Sequence, residues 1–114
     1  MKRTEALGEF ELSVLLAVAH LGAGAYGVSI RHEIEARARR DISIGALYTA
    51  LDRLERKGYI RTTTSDPSPE RGGRSKRLVH LTPAGVAALR RSRELMERMW
   101  AGLSPARLRS ERPR

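Results

Sequence analysis

Apolar positions recur along this chain first with a helical period, then as two short strand-like runs, then with a helical period again. From Glu9 to Leu21 the apolar residues are Phe10, Leu12, Val14, Leu15, Leu16, Ala17, Val18, Ala19 and Leu21. At about 100° per residue they cover nearly the whole circumference. Only a strip at Glu9, Ser13 and His20 stays polar, with Glu11 alone opposite. Such a helix is expected to be buried on more than one side, against its own chain and against a second subunit. A second helix is predicted from Tyr26 to Ala38, with Ile30, Ile34 and Ala38 inward, Val28 nearby and Gly27 permitting close contact at its start. Arg39-Arg-Asp-Ile42 then reads as a turn.

The next stretch, Ser43 to Gly58, carries its own stop and start signals. The Ser43 hydroxyl suits an N-cap. Gly58 suits the left-handed residue past a helix end, with Arg56 and Lys57 in the last turn where the dipole favours cations. Ile44, Leu47, Leu51 and Leu54 form the predicted inner stripe. Gly45, Ala46, Tyr48, Thr49, Asp52, Arg53 and Arg56 share the other face. Small residues in the first turn let the backbone approach something large. Tyr48, Thr49 and Arg53 offer hydroxyls and a guanidinium, groups that suit phosphates and base edges. An ordinary amphipathic helix with a solvated face has the same pattern.

Tyr59 to Thr64 and Lys76 to Leu81 read as strands. The connector between them carries Pro67 and Pro69, then a Gly72-Gly73 tip surrounded by Arg71, Arg74, Lys76 and Arg77. Thr82 caps a final helix with Pro83 in its first turn. Val86, Leu89, Met96, Met99, Trp100 and Leu103 mark the apolar face of that helix, and Ser104-Pro105 ends it. Residues 106–114 have no periodicity and are expected to be disordered. The fold class expected is mainly α with a small β-hairpin (α+β). A winged helix-turn-helix would occupy residues 1–82, a dimerisation helix residues 83–103 and a basic tail residues 104–114. Glycines flanked by basic residues beside a recognition helix make Ser43, Gly45, Ala46, Tyr48, Thr49, Arg53, Arg71, Gly73, Arg74 and Lys76 the candidate DNA-contacting set.

Leu7-Gly-Glu-Phe, Ala25-Tyr-Gly, Ser43-x-Gly-Ala-Leu-Tyr-Thr-x-Leu-x-Arg-Leu-Glu-x-Lys-Gly58, Glu70-Arg-Gly-Gly-Arg74 and Leu81-Thr-Pro-Ala-Gly85 resemble the PadR family of bacterial transcriptional regulators. The resemblance runs from about Leu7 to Leu89. Leu78-Val79 stands where the family usually has an aromatic pair, an exchange that stays apolar. The resemblance implies a dimeric repressor of the short-tailed branch with one C-terminal helix. Double-stranded DNA would be its partner, and an aromatic compound a further ligand. Phe10, Val14, Leu89, Met96, Met99, Trp100 and Leu103 are the expected dimer contacts. Trp100 reads first as an interface anchor. Its second reading is one wall, with Met96, of a cleft for a flat aromatic effector.

Composition narrows the remaining classes. The 114 residues carry 22 Lys and Arg against 13 Asp and Glu, for +9. Residues 1–30 hold two basic and three acidic residues, so the surplus lies in the rest of the chain. That surplus points to nucleic acid or an anionic membrane, and the tail lacks the apolar face a membrane helix needs. No cysteine is present, which removes disulfides and cysteine zinc sites. His20, His32 and His80 fall on separate predicted elements and compose no metal or catalytic site. The expectation is a cytoplasmic, non-enzymatic protein without cofactor or metal. A winged-helix module that binds protein, and a non-specific architectural or RNA-binding protein, remain the alternatives.

Overall fold

The computed structural model describes residues 7–65, 75–108 and 110. Its elements are α1 (Glu9–Leu21), α2 (Gly27–Ala38), α3 (Ile44–Arg56), β1 (Ile60–Thr64), β2 (Arg77–Leu81) and α4 (Pro83–Trp100). Short 3-10 turns lie at Gly22–Gly24 and Pro105–Arg107. The mostly helical body with one antiparallel hairpin is a winged helix.

α1 is the axle of the fold and packs on α2, α3, β2 and α4. Val14, Leu15, Ala17 and Val18 are buried, joining Ile30, Ile34, Leu47, Leu51, Leu54, Ile60 and Val79 in one core. Fully burying an aliphatic side chain of this kind contributes roughly 1.5–3 kcal/mol. Val14 corrects the sequence reading. It has no exposed surface within a single chain, so it belongs to the chain's own core and offers nothing to a partner. Leu16, Ala19 and His20 are the residues of α1 that face outward in its second half.

α2 begins one residue later than predicted because Tyr26 is its N-cap. Ser29 Oγ accepts the Tyr26 N–H at 3.0 Å and donates to the Gly24 carbonyl at 2.6 Å. Ile30 and Ile34 point inward; Val28 and Ala38 are exposed. The helix ends on Arg39 in the left-handed region, φ 55°. Glu35 then shapes the turn by accepting the Ile42 N–H at 2.9 Å and Arg31 Nε at 3.4 Å. The Ile42 N–H is the main reason its carboxyl lies below the usual carboxylate range, and burial opposes it.

α3 starts as predicted: Ser43 Oγ accepts the Ala46 N–H at 3.0 Å. Its inner stripe is Leu47, Ala50, Leu51 and Leu54 rather than one beginning at Ile44. The whole first turn, 43–46, lies outside the buried core, so Ile44, at the correct spacing, stays 43% exposed. Gly58, at φ 79°, turns the chain out of the helix.

The strands pair with Ile60 opposite Leu81 and Thr64 opposite Arg77. The Val79 N–H donates to the Ala25 carbonyl at 2.9 Å, and Tyr26 bridges Leu78. The root of the wing is thereby stitched to the start of α2. At the other end Thr82 Oγ1 donates to the Gly58 carbonyl at 2.7 Å and accepts the Gly85 N–H at 3.0 Å. α4 is thus anchored over its first two turns, where Gly85 and Ala88 are buried. Beyond residue 92 every described residue of α4 is exposed.

Candidate nucleic-acid interface

α3 is held against the core by four apolar side chains, which leaves Gly45, Ala46, Tyr48, Thr49, Asp52, Arg53 and Arg56 all exposed. Ser43, also in the predicted set, is spent on the cap. The outer face has two flanks. On one, Ala46, Thr49 and Arg53 border a groove of about 440 Å³ whose opposite wall is the start of α1 at Gly8, Glu9, Phe10 and Glu11. On the other, Tyr48 leans toward α2 and the wing in a groove of about 410 Å³ that also takes in Tyr26, Gly27, Lys76 and Arg77.

The second groove brings together residues that the sequence kept apart. Tyr48 lies so close to Gly27 that a Cβ there would sit 2.6 Å from its hydroxyl. Lys76 Nζ stands 3.9 Å from the centroid of the Tyr26 ring, a cation–π distance. Arg77, expected among the basic residues of the wing tip, instead folds back onto α3. Its Nη2 is 3.0 Å from Glu55 Oε1 and 3.6 Å from Asp52 Oδ1. It offsets part of the negative charge of two carboxylates on the helix that carries the candidate contacts. Arg71, Gly73 and Arg74 lie outside the described residues.

The first groove contains a contact that sequence reasoning missed. Glu11, the lone acid on its side of α1, receives Lys57 Nζ at 2.9 and 3.1 Å. Both side chains are largely buried, at 12% and 17% exposure. Burial pushes the Glu11 carboxyl up. Against that, the Lys57 hydrogen bond, the Gly8 N–H and the Lys57 and Arg53 charges pull it down, and the balance lies below the usual carboxylate value. The pair ties the C-terminal end of α3 to α1 and so fixes the pitch of the outer face. Its signal in the sequence is an acid isolated on an apolar helix.

Away from these grooves, Phe10 and Leu89 are half-buried against the core. Met96, Met99, Trp100 and Leu103 are exposed, at 66% for Met99 and 55% for Trp100, and Leu95 and Leu16 add to the apolar surface. A free-standing helix that presents this much apolar area is the kind of surface that partners cover. His80 Nε2 lies 2.7 Å from Thr63 Oγ1 across the hairpin. Among the described residues no helix is long and apolar enough to cross a membrane.

Residues 15–91 match the model of the transcriptional regulator PadR-like family. No curated protein matches the sequence significantly. Among solved structures, H. salinarum RosR superimposes with a TM-score of 0.71 at 23% identity, over 92% of this chain and 87% of that one. A PadR-like transcription factor from Bacteroides fragilis gives 0.66 at 21% identity, over 79% and 82%. F93 from STIV, a winged-helix DNA-binding protein, gives 0.66 at 20% identity, over 86% and 98%. At these identities the likeness is one of fold.

Proposed function

The chain belongs to the PadR-like family of transcriptional regulators, and from that membership we propose that it is a dimeric, sequence-specific DNA-binding repressor. The observation that carries the reading is the outer face of α3. Small residues at Gly45 and Ala46, then Tyr48, Thr49, Arg53 and Arg56, stand exposed and flanked by a basic wing root. In the proposed complex this face enters the major groove. Thr49 reads base edges, while Tyr48, Arg53 and Lys76 hold phosphates. Arg71, Gly73 and Arg74 extend the backbone contact from the wing tip.

Residues 1–82 act as the DNA-binding body, 83–103 as the dimerisation segment and 104–114 as a basic tail. The helix of that segment, expected to reach Leu103, ends at Trp100, and a turn at Ala101 and Gly102 carries Leu103 beyond it. Met96, Met99, Trp100 and Leu103, with Leu95 and Leu16, support a two-fold dimer, since a projecting helix so apolar is covered most economically by its own copy. The operator is then an inverted repeat, and the dimer represses by covering a promoter in the cytoplasm. Trp100 and Met96 with their symmetry mates border a cleft where a flat aromatic effector stacks. Such a ligand releases DNA only by binding the two dimer arrangements unequally. No step requires catalysis, a metal or a cofactor.

Competition at physiological salt tests the reading. Against a duplex enriched from a random pool, unrelated duplex should compete roughly 1,000-fold less well or worse. Equal competition would replace the regulator with a non-specific architectural protein.

A further inference from the structure

Lys76 lies at the start of the rising side of the wing, just before β2, and it is held at three points. Its N–H donates to Ser65 Oγ at 2.8 Å, and its carbonyl accepts the Ser65 N–H at 2.8 Å. Its ammonium rests over the Tyr26 ring. The ring in turn is fixed by its place at the head of α2, where the Tyr26 backbone is bonded to Ser29 and bridged to Leu78. A lysine at a wing root ordinarily samples many rotamers, and ordering such a side chain on binding costs affinity. Here the ordering is built in before any ligand arrives.

The surroundings state which ligand fits. The groove beneath the ammonium is open and lined by Tyr26, Tyr48 and Lys76. Arg77 also borders it but is occupied by Glu55 and Asp52. A cation seated on an aromatic face, with the one neighbouring guanidinium already held by carboxylates and no carboxylate in the lining itself, suits a singly charged oxyanion. The groove opens beside the exposed face of α3.

Resting on the DNA-binding function proposed above, we infer that this groove receives one backbone phosphodiester of the duplex. Tyr26 is its positioning residue: the ring seats Lys76 and thereby sets the distance between the wing and α3. The contact is to the backbone, so it strengthens binding to every sequence alike.

The test is equilibrium titration of the full chain with a mixed-sequence duplex at several salt concentrations, using Tyr26→Leu, Tyr26→Phe, Lys76→Ala and the double variant Tyr26→Leu/Lys76→Ala. Lys76→Ala should lower the slope of log affinity against log salt by about 0.9. Tyr26→Leu should weaken binding roughly 2- to 5-fold, and Tyr26→Phe should recover most of that loss because the π face returns. The double variant should bind no more weakly than Lys76→Ala alone, a coupling that a merely structural tyrosine does not produce. Additive losses, a Phe variant as weak as the Leu variant, or an unchanged slope in Lys76→Ala overturns the proposal while DNA binding stands. A wild-type chain that binds no duplex removes the DNA-binding function itself.

Discussion

Tyr48 of α3 lays its hydroxyl where a side chain on Gly27 of α2 would begin, 2.6 Å from a Cβ built at that position. α3 is thus positioned against the helix before it by the absence of a methyl group. Gly27→Ala should displace Tyr48 while leaving global stability nearly unchanged. The obstacle is the far end of one side chain, and alanine gains up to about 1 kcal/mol of helix propensity over glycine. Duplex affinity should fall, and Tyr48→Phe added to Gly27→Ala should lower it no further, because the displaced hydroxyl is already lost to the phosphate. Thermal unfolding and duplex titration of the two variants separate these effects.

Gly85 is the harsher case. A Cβ there would lie 2.2 Å from the Tyr59 carbonyl oxygen and 2.8 Å from Leu81 Cδ1, and the backbone cannot swing aside. Gly85→Ala should destabilise the fold by about 1–3 kcal/mol. Each 1 kcal/mol lowers Tm by roughly 4–8 °C in a domain of this size. A melting curve that matches the wild type would contradict the close packing of α4 on the hairpin.

The paired carboxylates set the acid limb of stability. Glu11 and Glu35 both titrate below the usual carboxylate range in the folded chain. A group of this kind contributes stability that is fully present above its unfolded value and is lost as pH falls through the depressed folded one. Stability should therefore hold near neutrality and decline below the ordinary carboxylate range. Glu11→Gln should be less stable than wild type at pH 7, and the gap should narrow as the medium is acidified. Urea unfolding across that range checks it; a constant gap would mean that the Lys57 pair is not the source.

Much of this was legible beforehand, because helix punctuation is local chemistry. The Ser43 hydroxyl, the Gly58 turn and the Thr82-Pro83 start each act within a few residues, and each element boundary they implied lies within one residue of the observed one. What the sequence hid depends on partners distant in the chain. Ile44 has correct helical spacing but lies in a first turn that stays outside the core. Val14 reads like any other residue of an all-apolar helix until the packing places it in the centre. Glu11 and Lys57 are 46 positions apart, and Tyr26 meets Lys76 only because the hairpin folds back on α2.

The apolar end of α4 carries the proposal of a dimer. Trp100→Asp should raise the dimer dissociation constant by roughly 30-fold or more, the scale of a buried aromatic anchor. Sedimentation equilibrium reads it directly. A variant as dimeric as wild type would move the interface elsewhere.

The central claim is that the outer face of α3 reads DNA sequence, and selection of bound duplexes from a random pool tests it most directly, with wild type and Thr49→Ala run side by side. Wild type should return an inverted repeat with half-site centres about 10 bp or a multiple apart. Thr49→Ala should return the same repeat with relaxed preference at a fixed position in each half, a change worth about 1–3 kcal/mol per lost base contact. A wild-type pool without enriched sequence, or a Thr49→Ala pool identical to it, would contradict the account.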